Sequence, residues 1–275
     1  MSVLRGGETH YTREFIGFIK PEIGIFLGSV TALGYLLSSP LKKDLIYLLL
    51  GVFFASITVY SFNHFKDKKE DLINKKKLNY FVKSGTGYYI VLFSLFLSIV
   101  FILSLSSRIF WIYLVCMVGG ILYSLIRIKR FFILKNLYTA FFMTLGFVMG
   151  TVLGGSTISE VFYYVFTIFL IGLCVSIVGD LRDYLGDKLA NVRTVPVVLG
   201  YEKARKMVCM LLIFFSVIVV GFNLKAFLPS ILFISASIFF LLKNDIKKTR
   251  LSLLFSIAFL LGINILIQKQ SYVVI

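Results

Sequence analysis

The sequence predicts an all-α, polytopic membrane protein. Of its 275 residues, 59% have hydrophobic side chains and only 15% are charged, which is too apolar for a soluble domain with a hydrated surface. The apolar residues form long runs, and a helix needs about 20 of them to cross the hydrocarbon of a bilayer. The net charge of +16 would favour nucleic acid in a soluble protein, but here the basic residues belong in loops, so we expect no nucleic-acid partner.

The apolar runs predict about nine transmembrane helices. They cover 15–39, 44–62, 86–107, 109–126, 136–155, 161–179, 207–222, 228–242 and 251–267. With the N-terminus inside, most of the 29 Lys and Arg residues fall in the inner segments, and this asymmetry predicts a cytoplasmic N-terminus. The larger polar connections lie on the same side, and the span interiors carry almost no charge, which argues against a transport path.

Two acidic segments follow the second and the sixth predicted spans, and therefore lie on the same side of the membrane. Within each segment, offsets of three or four residues put oxygen-bearing side chains on one face of a helix. The first set is Asn63, Asp67 and Asp71, and the second is Asp180, Asp183 and Asp187. The interval of four spans indicates two four-helix halves plus one extra helix.

Carboxylates at this spacing repel one another, so a positive partner is expected. Mg²⁺ is usually held by a few carboxylates together with phosphate oxygens of a substrate, so the pair of segments suits a metal-bridged diphosphate. The alternative for either segment is a solvated helix end that neighbouring basic side chains neutralise. Those side chains are Lys66, Lys68, Lys69 and Arg182.

The motifs resemble those of the UbiA superfamily of intramembrane prenyltransferases. That family carries an NDxxDxxxD-type first motif and a DxxxD-type second motif, followed by Thr-x-Pro-Val-x-x-Gly, which here is the stretch Thr194–Gly200. The first span opens with Lys20-Pro21 where the family commonly has Arg-Pro. The loop after the fourth span carries Leu122-Tyr123-Ser124 and then Lys129-Arg130, as the family does. The resemblance covers nearly the whole chain.

Three positions depart from the family pattern. His64 stands where the family usually has Asp, and residues 74–79 lack the prolines and the arginine expected after the first motif, so the resemblance does not extend to the loop shape or to the acceptor choice. Asn191 replaces a usual glycine, a mild change because Asn also tolerates positive φ.

The resemblance implies one transmembrane domain, 1–275, whose helices are bundled around a central cavity. It implies that Mg²⁺ is held by the two acidic sets and binds an isoprenyl diphosphate donor, whose chain runs between the helices toward membrane lipid. Lys20, Lys129 and Arg130 would clamp the diphosphate, although each could equally be a positive-inside anchor. Aromatic faces, with Tyr123 and Tyr184 as candidates, would stabilise an allylic cation.

The resemblance further implies a multi-pass protein of the cell membrane with its active site on the cytoplasmic side. Asp183 or Asp187 would take the proton from a lipophilic acceptor, and His64 is an alternative base, although a surface or hydrogen-bonded loop histidine is favoured. The acceptor is either an aromatic quinone precursor or the hydroxyl of a prenylated glycerol phosphate. Two alternatives stay open: an isoprenoid-diphosphate cyclase of the same fold, and a non-enzymatic transporter or scaffold.

Overall fold

Twelve α-helices and one 3₁₀ turn form the part of the chain that the computed structural model describes, which contains no β-strand. That part is the backbone of 2–73 and 77–273, with the side chains of 10–68, 72, 77–128 and 130–266. The helices are α1 (Ser2–Ile19), α2 (Pro21–Leu36), α3 (Lys43–Ile73), α4 (Tyr80–Ser84), α5 (Gly87–Leu103), α6 (Ser107–Ile126), α7 (Leu134–Leu153), α8 (Phe162–Leu189), α9 (Val195–Leu199), α10 (Tyr201–Gly221), α11 (Ser230–Leu242) and α12 (Ile246–Val273). The 3₁₀ turn is Ile128–Arg130.

The predicted all-α membrane fold is confirmed. Seven helical segments of the described chain are long and apolar enough to cross a bilayer, and two shorter apolar helices, α5 and α11, coincide with the third and eighth predicted runs. Helices are expected here because a bilayer offers no water to the peptide groups, so each N–H and C=O must be satisfied within the segment.

The first predicted span is interrupted at Lys20. Pro21 begins α2, and Lys20 directly before it has a positive φ of 45°, which interrupts the right-handed helix. The Lys20 N–H still donates to the carbonyl of Ile16 at 2.9 Å, which closes α1. The break therefore separates α1 from the apolar helix α2.

The helices group into two compact units. The first contains Met1–Gly28 and Ile46–Arg127, and the second contains Ser29–Leu45 and Ile128–Ile275. In the first unit, Phe18, Phe81 and Val82 form a buried cluster that joins α1 to α4. Asn79 caps α4 by accepting from the Phe81 N–H at 3.0 Å, and its amide donates to the Glu14 carbonyl at 2.7 Å. A capped short helix thus follows residues 74–76, which lie outside the described structure.

Small residues bring helix backbones together in the second unit. A Cβ added at Gly150 on α7 would lie 2.0 Å from the Thr31 carbonyl oxygen of α2, and one at Gly34 would lie 2.2 Å from the Phe147 oxygen. Glycine at these two positions permits an approach that a side chain would prevent, as in other membrane helix pairs.

A tight turn after α8 returns the chain to that helix. Asn191 has a φ of 54°, and the Val192 N–H donates to the Asp187 carbonyl at 2.9 Å, which is the left-handed helix end known as a Schellman motif. This confirms that Asn191 tolerates positive φ here. Thr194 then lies at the start of α9, which packs against α8 and α10.

Candidate functional site

The first acidic segment lies on α3, which extends past the predicted membrane boundary to Ile73. The Asn63 amide donates to Asp67 Oδ2 at 2.8 Å, and the Ser124 hydroxyl of α6 donates to Asn63 Oδ1 at 2.9 Å. The predicted single helical face is therefore confirmed for Asn63 and Asp67. The side chain of Asp71, the third member, lies outside the described residues.

Two other predicted residues lie in the same unit as this segment. The Lys20 ammonium lies 5.9 Å from the centre of the Tyr60 ring, which is one helical turn before Asn63 on α3. The His64 ring stacks on the buried Phe18 ring, with 5.7 Å between centroids. His64 is therefore a partly buried residue of α3 that packs against α1, and not the surface or loop residue that the sequence predicts.

Tyr123 and Ser124, which the sequence predicts to lie in the loop after the fourth span, lie in the last turns of α6. Tyr123 is half-buried and directly precedes Ser124, which reaches Asn63. Arg127 ends α6 in the left-handed conformation, with a φ of 58°. Arg130 is exposed in the 3₁₀ turn, and the side chain of Lys129 lies outside the described residues.

The second acidic segment begins with a buried carboxylate. Asp180 on α8 is 1% exposed, and the Lys135 ammonium of α7 contacts its Oδ1. The Asn136 amide donates to Asp180 Oδ2 at 2.8 Å and to the Ser176 hydroxyl at 2.9 Å. Both oxygens of Asp180 are therefore held by protein donors, and the expected positive partner is present.

Asp183 and Asp187 lie in different surroundings on the same helix. The exposed Asp183 accepts two hydrogen bonds from Arg182, at 2.8 and 2.7 Å, so Arg182 neutralises this carboxylate as the alternative interpretation expected. Asp187 is half-buried, and the Thr194 hydroxyl lies near its carboxyl. Within the described residues, however, neither Asp187 Oδ2 nor Thr194 Oγ1 has a hydrogen-bond partner of ordinary geometry.

These oxygens have the chemistry that a hard divalent cation requires. Buried polar atoms are normally paired. The Asp187 and Thr194 oxygens, which lack such partners among the described residues, are therefore available to coordinate a cation. The described side chains contain no group of three or more His, Cys, Asp and Glu that forms a ready-made metal centre. Each acidic segment therefore presents a few oxygens of its own, fewer than the roughly six ligands that a hard divalent cation usually takes.

Sequence reasoning missed the residues that support both segments. The sequence identifies Lys135 only as a basic residue of an inner loop and Asn136 only as the start of the fifth span. In the structure, both side chains bind the Asp180 carboxylate. Ser124 was noted only as part of the Tyr123 motif, although it orients Asn63. The available signal was a Lys-Asn pair immediately before a long apolar run.

The fold is shared with solved membrane proteins. A UbiA homologue from Archaeoglobus fulgidus bound to DMAPP and Mg²⁺ matches with a TM-score of 0.73 and 17% identity, covering 92% of this chain and 99% of that one. A UbiA homologue from Aeropyrum pernix K1 matches with a TM-score of 0.76 and 16% identity, covering 90% of this chain and 98% of that one. A digeranylgeranylglyceryl phosphate synthase matches with a TM-score of 0.63 and 18% identity, covering 94% of this chain and 96% of that one.

Family membership rests on the sequence itself. No curated protein matches the chain by sequence. The family model of the UbiA prenyltransferase family matches residues 26–263, which is most of the chain and includes both acidic segments. The resemblance in the motifs is thus confirmed, and the chain belongs to the UbiA prenyltransferase family.

Proposed function

We propose that this protein is an Mg²⁺-dependent enzyme that transfers a polyprenyl group from an isoprenyl diphosphate to a lipophilic acceptor and releases diphosphate. The observation that carries the proposal is the acidic face of α8, where a buried oxygen of Asp187, near Asp183, has no hydrogen-bond partner among the described residues. Family membership supports the reaction class. Solved relatives from A. fulgidus were bound to Mg²⁺ with DMAPP or GPP, which supports an isoprenyl diphosphate as the donor.

The cation would be held by the two acidic sets. Asn63, Asp67 and Asp71 would bind one ion, and Asp180, Asp183 and Asp187 would bind the other. When bound, Mg²⁺ supplies electrostatic stabilisation of the negative charge that develops on a leaving diphosphate. Ser124 would contribute by fixing the orientation of the Asn63 amide.

The remaining residues would bind the donor and manage the proton. Lys20, Lys129 and Arg130 would bind diphosphate oxygens, which lowers the barrier to breaking the bond between C1 and oxygen. The electron pair of that bond leaves with diphosphate, and the face of the Tyr123 ring would stabilise the allylic cation. The acceptor then forms a bond to C1, and its proton passes to the carboxylate of Asp183 or Asp187.

The site would face the cytoplasm. The distribution of Lys and Arg supports an inner position for both acidic segments and for the N-terminus of this multi-pass protein, which we assign to the cell membrane. Labelling of single cysteines introduced near Arg13 and near Lys225 in intact cells tests the orientation, because a membrane-impermeant reagent should reach only the second.

The decisive assay uses purified protein in lipid with Mg²⁺ and labelled geranylgeranyl diphosphate. The acceptors offered are hydroxybenzoate, dihydroxynaphthoate and geranylgeranylglyceryl phosphate, and the lipid extract is analysed by mass spectrometry. One prenylated product would establish transfer and identify the acceptor. Diphosphate release without an adduct would favour the cyclase, and no turnover that depends on Mg²⁺ with any donor length would favour a transporter or scaffold.

Matched variants test the residue assignment. Asp67→Asn and Asp183→Asn should each abolish diphosphate release while leaving the amount of folded protein unchanged, because these partly or fully exposed carboxylates contribute little to stability. Asp44→Asn is the control, since Asp44 is an exposed acid at the opposite end of α3. Full turnover in the Asp67 or Asp183 variant would contradict the assignment.

A further inference from the structure

Lys135 pairs with a deeply buried carboxylate. Its ammonium contacts a carboxylate that is 1% exposed, whereas Lys135 itself is 25% exposed. Asn136, the next residue on α7, donates to the other oxygen of the same carboxylate at 2.8 Å. Consecutive residues of one helix therefore hold both oxygens of Asp180.

The ion pair of Lys135 differs from the other pair on this helix face. Arg182 and Asp183 are both about half exposed, at 49% and 52%, so water and ions can compete for them. The Lys135–Asp180 pair is desolvated on the Asp180 side, and separating it would leave a buried charge without a partner. The Lys135 charge is therefore a fixed part of the acidic face, and it also acts on the Asp187 carboxyl.

A fixed positive charge has opposite effects on two kinds of ligand. It makes the electrostatic potential at the acidic face less negative, which weakens the binding of a divalent cation that arrives without diphosphate. It strengthens the binding of a diphosphate, which brings several negative charges. A cation that arrives together with diphosphate therefore binds with less penalty than the free cation.

We propose that Lys135 is a positioning residue that serves as the counter-ion of the second acidic motif. Lys135 fixes the Asp180 carboxylate, and its charge makes divalent-cation binding at this face depend on diphosphate. The role of diphosphate rests on the proposed function. The effect on the free cation does not, so the two ideas can fail separately.

If the Lys135 charge acts as proposed, its removal should strengthen the binding of a free divalent cation, whereas a purely structural role predicts weaker binding. Lys135→Met should tighten the binding of free Mn²⁺ about fivefold, the size of one charge acting on a divalent ion across about 8 Å of water-like dielectric. In the presence of inorganic diphosphate, the same variant should bind Mn²⁺ at least about fivefold more weakly than the unaltered protein in diphosphate. Loss of structure alone would weaken both, and Lys135→Arg should preserve both values.

The experiment measures Mn²⁺ binding by electron paramagnetic resonance, with protein in lipid nanodiscs and no prenyl substrate. Lys206→Met is the control, because Lys206 is an exposed lysine on α10 and its loss should leave both affinities within about twofold. Mn²⁺ affinity that is unchanged or weaker in folded Lys135→Met protein would overturn the proposal.

A second pair of variants covers the case in which Lys135→Met does not fold. Asp180→Asn removes the buried charge, and Lys135→Met added to Asp180→Asn leaves no unpaired charge at this position. The added substitution should again tighten free Mn²⁺ binding about fivefold. If it does not, the Lys135 charge has no influence on the cation and the proposal is wrong.

Discussion

Replacing Gly150 with alanine should test how closely α2 and α7 pack. The new Cβ would lie 2.0 Å from the Thr31 carbonyl oxygen and 2.8 Å from the Tyr35 nitrogen, whereas ordinary contact begins at 3.4 Å. Both obstacles are backbone atoms, so no side-chain rotation relieves the contact. The helices must separate by about 1 Å, a gap that loses up to about half of the dispersion energy of each facing atom pair. We expect a loss of about 3 kcal/mol in the free energy of unfolding.

Two further alanine substitutions, at glycines with more space around them, should cause smaller losses of stability. At Gly146 the nearest atom to a Cβ is the Thr31 hydroxyl oxygen, at 3.2 Å, and at Gly262 on α12 no atom of the described residues lies within 4 Å. Reversible unfolding in mixed micelles of SDS and a mild detergent, followed by circular dichroism, should rank the losses as Gly150, then Gly146, then Gly262. Equal stability of the Gly150 and Gly262 variants would refute the inferred backbone contact.

Three more substitutions address the site and the turn that supports it. Asn136→Leu removes the donors to Asp180 and Ser176, and should lower the free energy of unfolding by about 2 kcal/mol in the same micelle assay. Ser124→Ala removes the donor to Asn63 Oδ1, and should raise the Mg²⁺ concentration for half-maximal diphosphate release about tenfold, with recovery in Ser124→Thr; an unchanged requirement would contradict the orienting role. Asn191→Ala should lower the free energy of unfolding by about 1 kcal/mol, because alanine disfavours the φ of 54° at this position. Asn191→Gly should change it by only about a few tenths of a kcal/mol, and equal melting temperatures of the two variants would argue against the left-handed turn.

The sequence was informative wherever one helix alone carries the pattern. The apolar runs coincide with the long helices and with α5 and α11, because burial in lipid imposes one secondary structure on every such run. The spacing of Asn63 and Asp67 indicated one face, and their 2.8 Å hydrogen bond confirms it. The break at Lys20 was not predicted, because a lysine with a φ of 45° gives no compositional signal beyond the proline that follows it.

Contacts between helices could not be predicted from the sequence, for a physical reason. Periodicity identifies which residues share a face but not which residue of another helix meets that face. Lys135 therefore looked like one more inner loop cation, and only the packing of α7 on α8 reveals that it neutralises Asp180. The same limit hid Ser124, whose hydroxyl acts on a residue of α3.

The three aspartates of α8 illustrate why equal spacing does not give equal roles. Asp180 lies deepest, at 1% exposure, so its charge needs donors from the protein and receives them from α7. Asp183 is about half exposed and pairs with its own neighbour, a contact that water can replace. Asp187 lies between these extremes near Thr194, and one of its oxygens is buried with no donor of ordinary geometry in the described part of the chain. A cation that needs free carboxylate oxygens would therefore take Asp187 and Asp183 at lower cost than Asp180, which must first leave Lys135.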